Sequence, residues 1–244
     1  MKRALTILLA AIVFLAVLIA RLPAAWLLPA VRSQLRCASA AGTVWEGNCS
    51  GASIRGFSLE QLTWRVRAPA LLRGRLVAQL SAVQRGASAS GEVSLPWHGP
   101  IEARNVFARV PINPEILPAV PAYIAGTIEA HIERVVIARN GALEYLRGRV
   151  AVLHLVDSSG QVTPLGSFAA TFPGGGGEPI GRLHDLGGPL ALRGTLRLTA
   201  APGYVLHAVV APRASASPSL LQALQFLGAE DAAGRRPFGL EGSY

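Results

Sequence analysis

Lysine is almost absent from this chain: Lys2 is the only one, and arginine supplies the other cations behind the net charge of +9. Those arginines stand singly, without a basic cluster and with few aromatics among them, so no nucleic-acid partner is expected. Charge of either sign is scarce, at 15% of residues against 51% hydrophobic, and the mean hydropathy is +0.39. That balance excludes an ordinary cytosolic protein and directs attention to a membrane segment. Catalytic signatures are missing as well. His98, His131, His154, His184 and His207 show no H-E-x-x-H or comparable ligand spacing. The glycine run at 174–177 lacks the Lys-Ser/Thr of a phosphate loop, and no G-x-S-x-G elbow presents a nucleophilic serine. The fourteen carboxylates form no evident pair. Neither an enzyme nor a metal or cofactor site is expected.

What is present begins at the N-terminus. A cationic Met-Lys-Arg head precedes Ala4–Ala20, which carries no charge. As a helix, that run would be about 26 Å long, enough for the hydrocarbon core of a bilayer. Arg21 closes it, and Trp26 follows where an interfacial aromatic would sit. A cleaved signal peptide is the rival reading, but the run exceeds an ordinary h-region and no small-x-small site directly follows it. The boundaries are therefore 1–3 for the N-terminal head, 4–28 for a transmembrane anchor with its interfacial segment, and 29–244 for a β-rich domain. Inner-membrane lipid is the first expected partner.

Arginines on both sides of the run leave orientation undecided by charge. Cys37 and Cys49, the only cysteines, have eleven residues between them. They read either as a disulfide, which would put residues 22–244 on the oxidising side, or as two small residues.

Beyond the anchor the hydrophobic period is two. Leu62, Trp64 and Val66 share one strand face, and Leu190, Leu192, Leu196 and Leu198 share another. Strands are also expected over 126–138, 147–156 and 204–212, with turns between them and a long loop at 173–189. One or two short helices are expected, with candidate starts at Asn113–Pro114 and Ser217–Pro218. The second carries Leu220, Leu221, Leu224 and Leu227 on a stripe and stops at Gly228. One word recurs three times: Leu-Arg-Gly at 72–74, 146–148 and 192–194. Each copy reads as the start of a strand whose glycine replaces an inward side chain and marks a bend. Plain abundance of Gly and Arg is the alternative. The fold class is mainly β: one N-terminal transmembrane helix, then an elongated, curled antiparallel sheet with one or two short helices.

Gly42, Thr43, Trp45 and Gly47, then Leu59, Leu62 and Trp64, then Leu71, Leu72 and Gly74 follow a recognisable order. They resemble the opening periplasmic segment of the type II secretion system protein N (general secretion pathway protein N) family. Thr163–Phe172, Gly187–Leu198 and the last 28 residues are similar to later segments of that family, whereas Ala78–Val93 matches nothing. The Gly-Thr-x-Trp-x-Gly opening is shared with AsmA-like envelope proteins. The resemblance implies a single-pass inner-membrane protein of a Gram-negative bacterium, its N-terminus cytoplasmic and its β domain periplasmic. Such a protein supports export of folded proteins across the outer membrane as a non-catalytic scaffold touching other type II secretion subunits. The AsmA-like flavour implies an alternative: a periplasmic groove for lipid or another apolar ligand, lined by Leu62, Trp64, Val66, Leu192, Leu196 and Leu198. Trp45 belongs either to the core or to such a groove.

Overall fold

The computed structural model describes residues 10, 14–15, 17–26, 35–54, 57–117, 120–199 and 203–243. Among these the protein is mainly β and antiparallel, and it divides into two units at Arg85–Gly86 rather than at the glycine run.

In the first unit, residues 17–20 are helical and a 3-10 turn spans Ala24–Trp26. Five strands follow: β1 (Leu35–Arg36), β2 (Ser39–Gly42), β3 (Glu46–Ile54), β4 (Phe57–Val66) and β5 (Arg75–Gln84). Their order is β1-β3-β4-β5, with β2 also paired to β3. A short helix α1 (Ala68–Leu71) joins β4 to β5, where the sequence carried no helical period. Of the expected membrane anchor at 4–28, residues 4–9, 11–13, 16 and 27–28 lie outside the described residues. Among the described residues no helix is long and apolar enough to cross a membrane.

The second unit is a meander in which each strand pairs with its sequence neighbours. Its strands are β6 (Ala87–Pro96), β7 (Ile101–Ile112), β8 (Ile124–Ile137), β9 (Leu143–Asp157), β10 (Thr163–Pro173), β11 (Ile180–Asp185), β12 (Leu190–Thr199), β13 (Gly203–Pro212) and β14 (Arg236–Ser243). The expected strands at 126–138, 147–156, 190–198 and 204–212 fall in β8, β9, β12 and β13. The expected loop at 173–189 is corrected, because it contains β11. That strand offers only Gly181 and Leu183 to the apolar face, too little for a period of two to register. The helix expected after Asn113 is a single turn, in which Asn113 Oδ1 accepts the Ile116 N–H at 2.9 Å. The C-terminal helix α2 (Pro218–Gln225) forms as its cap predicts, with Ser217 Oγ accepting the Leu220 N–H at 3.3 Å. Its buried stripe is narrower than expected: Leu220 and Leu224 are buried, while Leu221 and Leu227 are exposed.

One face of this second sheet holds its apolar core. Ile132, Leu146, Ala170 and Phe172 form a buried cluster flanked by Leu183, Leu196 and Leu198. A second cluster joins Leu190 and Val210 to Leu220 and Leu224 of α2, with Leu192 and Phe168 against it. Glycine makes the first cluster close. Register places Ile132 opposite Gly148 and Gly148 opposite Phe172, and Gly181 opposite Leu196. A Cβ on Gly181 would stand 2.7 Å from the Phe172 ring, so the ring occupies the space the glycine leaves open. At Gly148 (φ +151°) the Cβ would lie 2.5 Å from the His131 carbonyl oxygen. Side chains of alternate strands thus interleave within one sheet face.

The repeated Leu-Arg-Gly word therefore has two meanings. Gly148 and Gly194 lie inside strands and permit close backbone approach; a Cβ on Gly194 would come within 2.7 Å of Ala208 Cα. Gly74 is corrected: it sits in the turn before β5 with φ +71°, where left-handed backbone is the requirement. Bulges mark a line across four strands. Gly91 on β6 faces Asn105 and Val106, Asn105 (φ +50°) faces Glu133, and Glu133 is an extra residue opposite Arg147–Gly148. Such insertions bend a strand and increase its twist.

Replacing Gly194 by Val should destabilise the chain by about 1–3 kcal/mol, lowering Tm by roughly 3–10 °C. Gly175→Ala, whose Cβ meets nothing within 4 Å, serves as the control and should stay near wild type. Equal melting of the two variants in a thermal scan would refute the close-approach account.

Candidate functional site

The sequence-selected residues fall into two groups, one in each unit. In the first unit, Cys37 and Cys49 form a disulfide with Cα atoms 5.7 Å apart, and Cys49 is fully buried. Register places Cys49 opposite Leu62 and Gly47 opposite Trp64, so the disulfide shares the apolar face of β4. Leu62, Trp64 and Val66 are half-buried on that face, and Arg65 is exposed on the other.

The Gly-Thr-x-Trp-x-Gly stretch forms a corner. Gly42 takes φ +90°, a conformation L side chains rarely adopt. Thr43 N–H donates to the Glu46 carbonyl at 2.8 Å, and the Thr43 hydroxyl accepts the N–H groups of Trp45 and Glu46. A Cβ on Gly47 would stand 2.6 Å from Trp64 Cζ2, so this glycine admits the indole ring. Trp64 Nε1 donates to the Thr43 carbonyl at 3.3 Å. Trp45 resolves the choice between core and groove differently: half-buried, it donates from Nε1 to the Ile19 carbonyl at 2.8 Å. Together with the Val44 N–H bond to the Leu22 carbonyl (3.0 Å), this ties the β3 corner to the end of the N-terminal helical residues. Across the sheet, Arg65 donates to Glu46 at 2.6 Å and holds its carboxyl below the usual range.

In the second unit, Leu192 packs beside α2, and Leu196 and Leu198 pack against the Phe172 cluster. On the apolar side of β12, Leu190 is buried, while Leu192, Leu196 and Leu198 are half-buried. Arg193, Thr195 and Arg197 project from the opposite, exposed side. The arginines of the three repeated words share no setting: Arg73 is exposed in a turn, Arg147 pairs with Glu133 at 2.7 Å, and Arg193 lies on the open face of β12.

Sequence reasoning missed the clamp on the Gly187–Gly188–Pro189 turn. Arg213 donates to Asp185 Oδ1 at 2.5 Å and to the carbonyls of Gly188 and Leu190. Asp185 also accepts the Leu192 and Gly187 N–H groups. The two partners are 28 residues apart, so only strand pairing reveals them. Burial pushes the Asp185 carboxyl up, but the Arg213 hydrogen bond and charge and the two backbone donors outweigh it and hold it below its ordinary value. Among the described residues no group of His, Cys, Asp and Glu could hold a metal ion.

Because the folded carboxyl titrates below its unfolded value, its contribution is present above the unfolded pKa and lost as pH falls through the lower folded one. Asp185→Asn should cost about 1–3 kcal/mol at neutral pH. The gap in Tm between wild type and variant should narrow below about pH 4. A pH-independent gap would exclude the ionised clamp. Replacing both Cys37 and Cys49 by Ser should cost about 2–3 kcal/mol by releasing a short loop. If wild type melts identically with and without reductant, the bond is not what stabilises this corner.

A family model described as type II secretion system, protein N, matches residues 33–239. No curated protein matches the chain, and no solved structure matches it. The match runs from before the Gly-Thr-x-Trp-x-Gly corner, through the clamped turn, to the middle of β14, and it implies contact with other secretion subunits. On that evidence the chain belongs to the type II secretion system protein N family and serves type II protein secretion.

Proposed function

We propose that this protein is an accessory, non-catalytic component of the secretion machine that works by presenting strands to other subunits. In this reading residues 4–20 anchor it in the inner membrane, with the N-terminus cytoplasmic and both β units periplasmic. The observation that carries the reading is the end of the second ladder. Strand β14 pairs with β13 and with no other strand among the described residues, and most of its residues are exposed. A terminal strand offers backbone N–H and C=O groups that a partner strand can complete. Anchoring would confine that edge near the membrane and raise its effective concentration for partners there. The exposed Phe14, Leu15, Val17, Leu18 and Ile19 support lipid contact at the N-terminus. The Cys37–Cys49 bond supports an oxidising compartment. A lipid groove is the second reading, and it is less favoured at Leu190 and Leu192, where α2 packs on the apolar face.

Deleting the gene should reduce release of secreted enzymes into the medium, and the full chain should restore it. A photo-crosslinker at Glu241 should capture a secretion subunit in cells. Carbonate extraction should leave the intact chain with the inner membrane. Normal secretion without the gene would defeat the functional reading, and a shortened soluble form would defeat the anchored one.

A further inference from the structure

The exposed face of the second sheet is electrostatically uneven. Over β7–β9 its arginines are answered by glutamates: Arg109 by Glu129 at 3.6 Å, Arg147 by Glu133 at 2.7 Å, and Arg104 and Arg134 by the shared Glu102 at 2.8 and 2.5 Å. Glu102 is correspondingly held below the usual carboxyl range, its burial outweighed by the two guanidiniums.

Over β9–β12 the pattern stops. Arg149 lies in register with Thr171, Thr171 with Arg182, and Arg182 with Thr195. Arg193 and Arg197 flank Thr195 on the same strand face, and Arg193 faces His184. All four arginines are exposed, and none of them makes an ion pair among the described residues. The carboxylate in the register row of Arg197 is Glu241, two strands away beyond Val205. Arg193 also borders an open depression of about 690 Å³, shared with Thr195, His207, Val209, Pro237 and Gly239 near the β14 edge.

We propose that this arginine face docks an acidic, extended segment of a partner protein. Spacing favours a peptide over a single anionic group. Arg182 is diagonal to both Arg193 and Arg197, roughly 7–8 Å away, and Arg149 stands two strands off, about 10 Å. One phosphate cannot engage charges so dispersed. Carboxylates at every second residue of an extended chain recur every ~6.7 Å and can meet several of them in turn. No Phe, Tyr or Trp stands on this side of β10–β12, and the exposed Phe107 ring, in the register row of Arg149, is already paired with His131, so the face lacks a series of aromatic platforms for nucleic-acid bases. The depression beside Arg193 gives an apolar side chain of the same segment a place to settle. This inference does not depend on strand addition at β14, and its test reads binding rather than secretion, so either proposal can fail alone.

The test uses the full chain in detergent and a fluorescent peptide alternating glutamate and serine, with the glutamine-serine peptide as control. Fluorescence anisotropy should show salt-sensitive binding of the acidic peptide alone. The variant with Arg182→Gln and Arg197→Gln should bind about tenfold more weakly or worse. Lysine at the same two positions should restore most of the affinity, which a folding defect would not allow. Arg104→Gln with Arg109→Gln, on the ion-paired part of the face, should leave binding unchanged. No binding by the wild type, or equal binding by all variants, would overturn the proposal. So would an arginine-dependent preference for vesicles containing phosphatidylglycerol over the peptide, which would assign the face to a lipid surface.

Discussion

Phe172 lies over the bare backbone of Gly181, and Ile132 lies beside Gly148; the second sheet depends on this interleaving. A sandwich buries its apolar face against another sheet. Here α2 is the only helix of the second unit among the described residues, and it covers only the patch around Leu190 and Val210. The remaining apolar side chains must find contact within their own face. They do so where a glycine on one strand yields space to a large residue on the next. Dispersion contacts fall off steeply with distance, so a Cβ inserted at such a position loses more than its own volume suggests.

The same constraint accounts for the irregular strands. The two bulges on the line from Gly91 to Gly148, at Asn105–Val106 of β7 opposite Gly91 and at Glu133 of β8 opposite Arg147–Gly148, lie side by side, because Asn105 and Glu133 are in register. On the apolar side Val106 and Ile132 reach the Phe172 cluster from beside this line. On the other side the inserted Glu133 reaches Arg147. One feature therefore serves packing on one face and charge pairing on the other. Where the glutamates end, beyond β9, arginine is left facing solvent.

In the first unit the comparable constraint is the corner at residues 42–47. A threonine hydroxyl satisfies two backbone donors, a glycine makes room for Trp64, and Trp45 reaches a carbonyl at the end of a helical turn. Indole suits both tasks, since it combines a large apolar surface with one N–H donor. The disulfide holds the strand that follows this corner against the segment that precedes it.

The β class, the strands over 126–138, 147–156, 190–198 and 204–212, and the capped C-terminal helix were legible from periodicity and local chemistry, because those signals arise between residues close in sequence. The Ser217–Pro218 cap and the alternation around Leu192 are of this kind. Strand β11 was not legible, since Gly181 removes half of its apolar signal, and neither were the Arg213–Asp185 clamp, the hold of Trp45 on Ile19 or the unanswered arginine face. Each of these pairs groups that meet only after register is set, and register is a property of the assembled sheet. The repeated Leu-Arg-Gly word shows the boundary between the two. Its glycines are plain in the chain, but whether one serves a turn, as at Gly74, or a close strand approach, as at Gly194, depends on the backbone that comes to lie beside it.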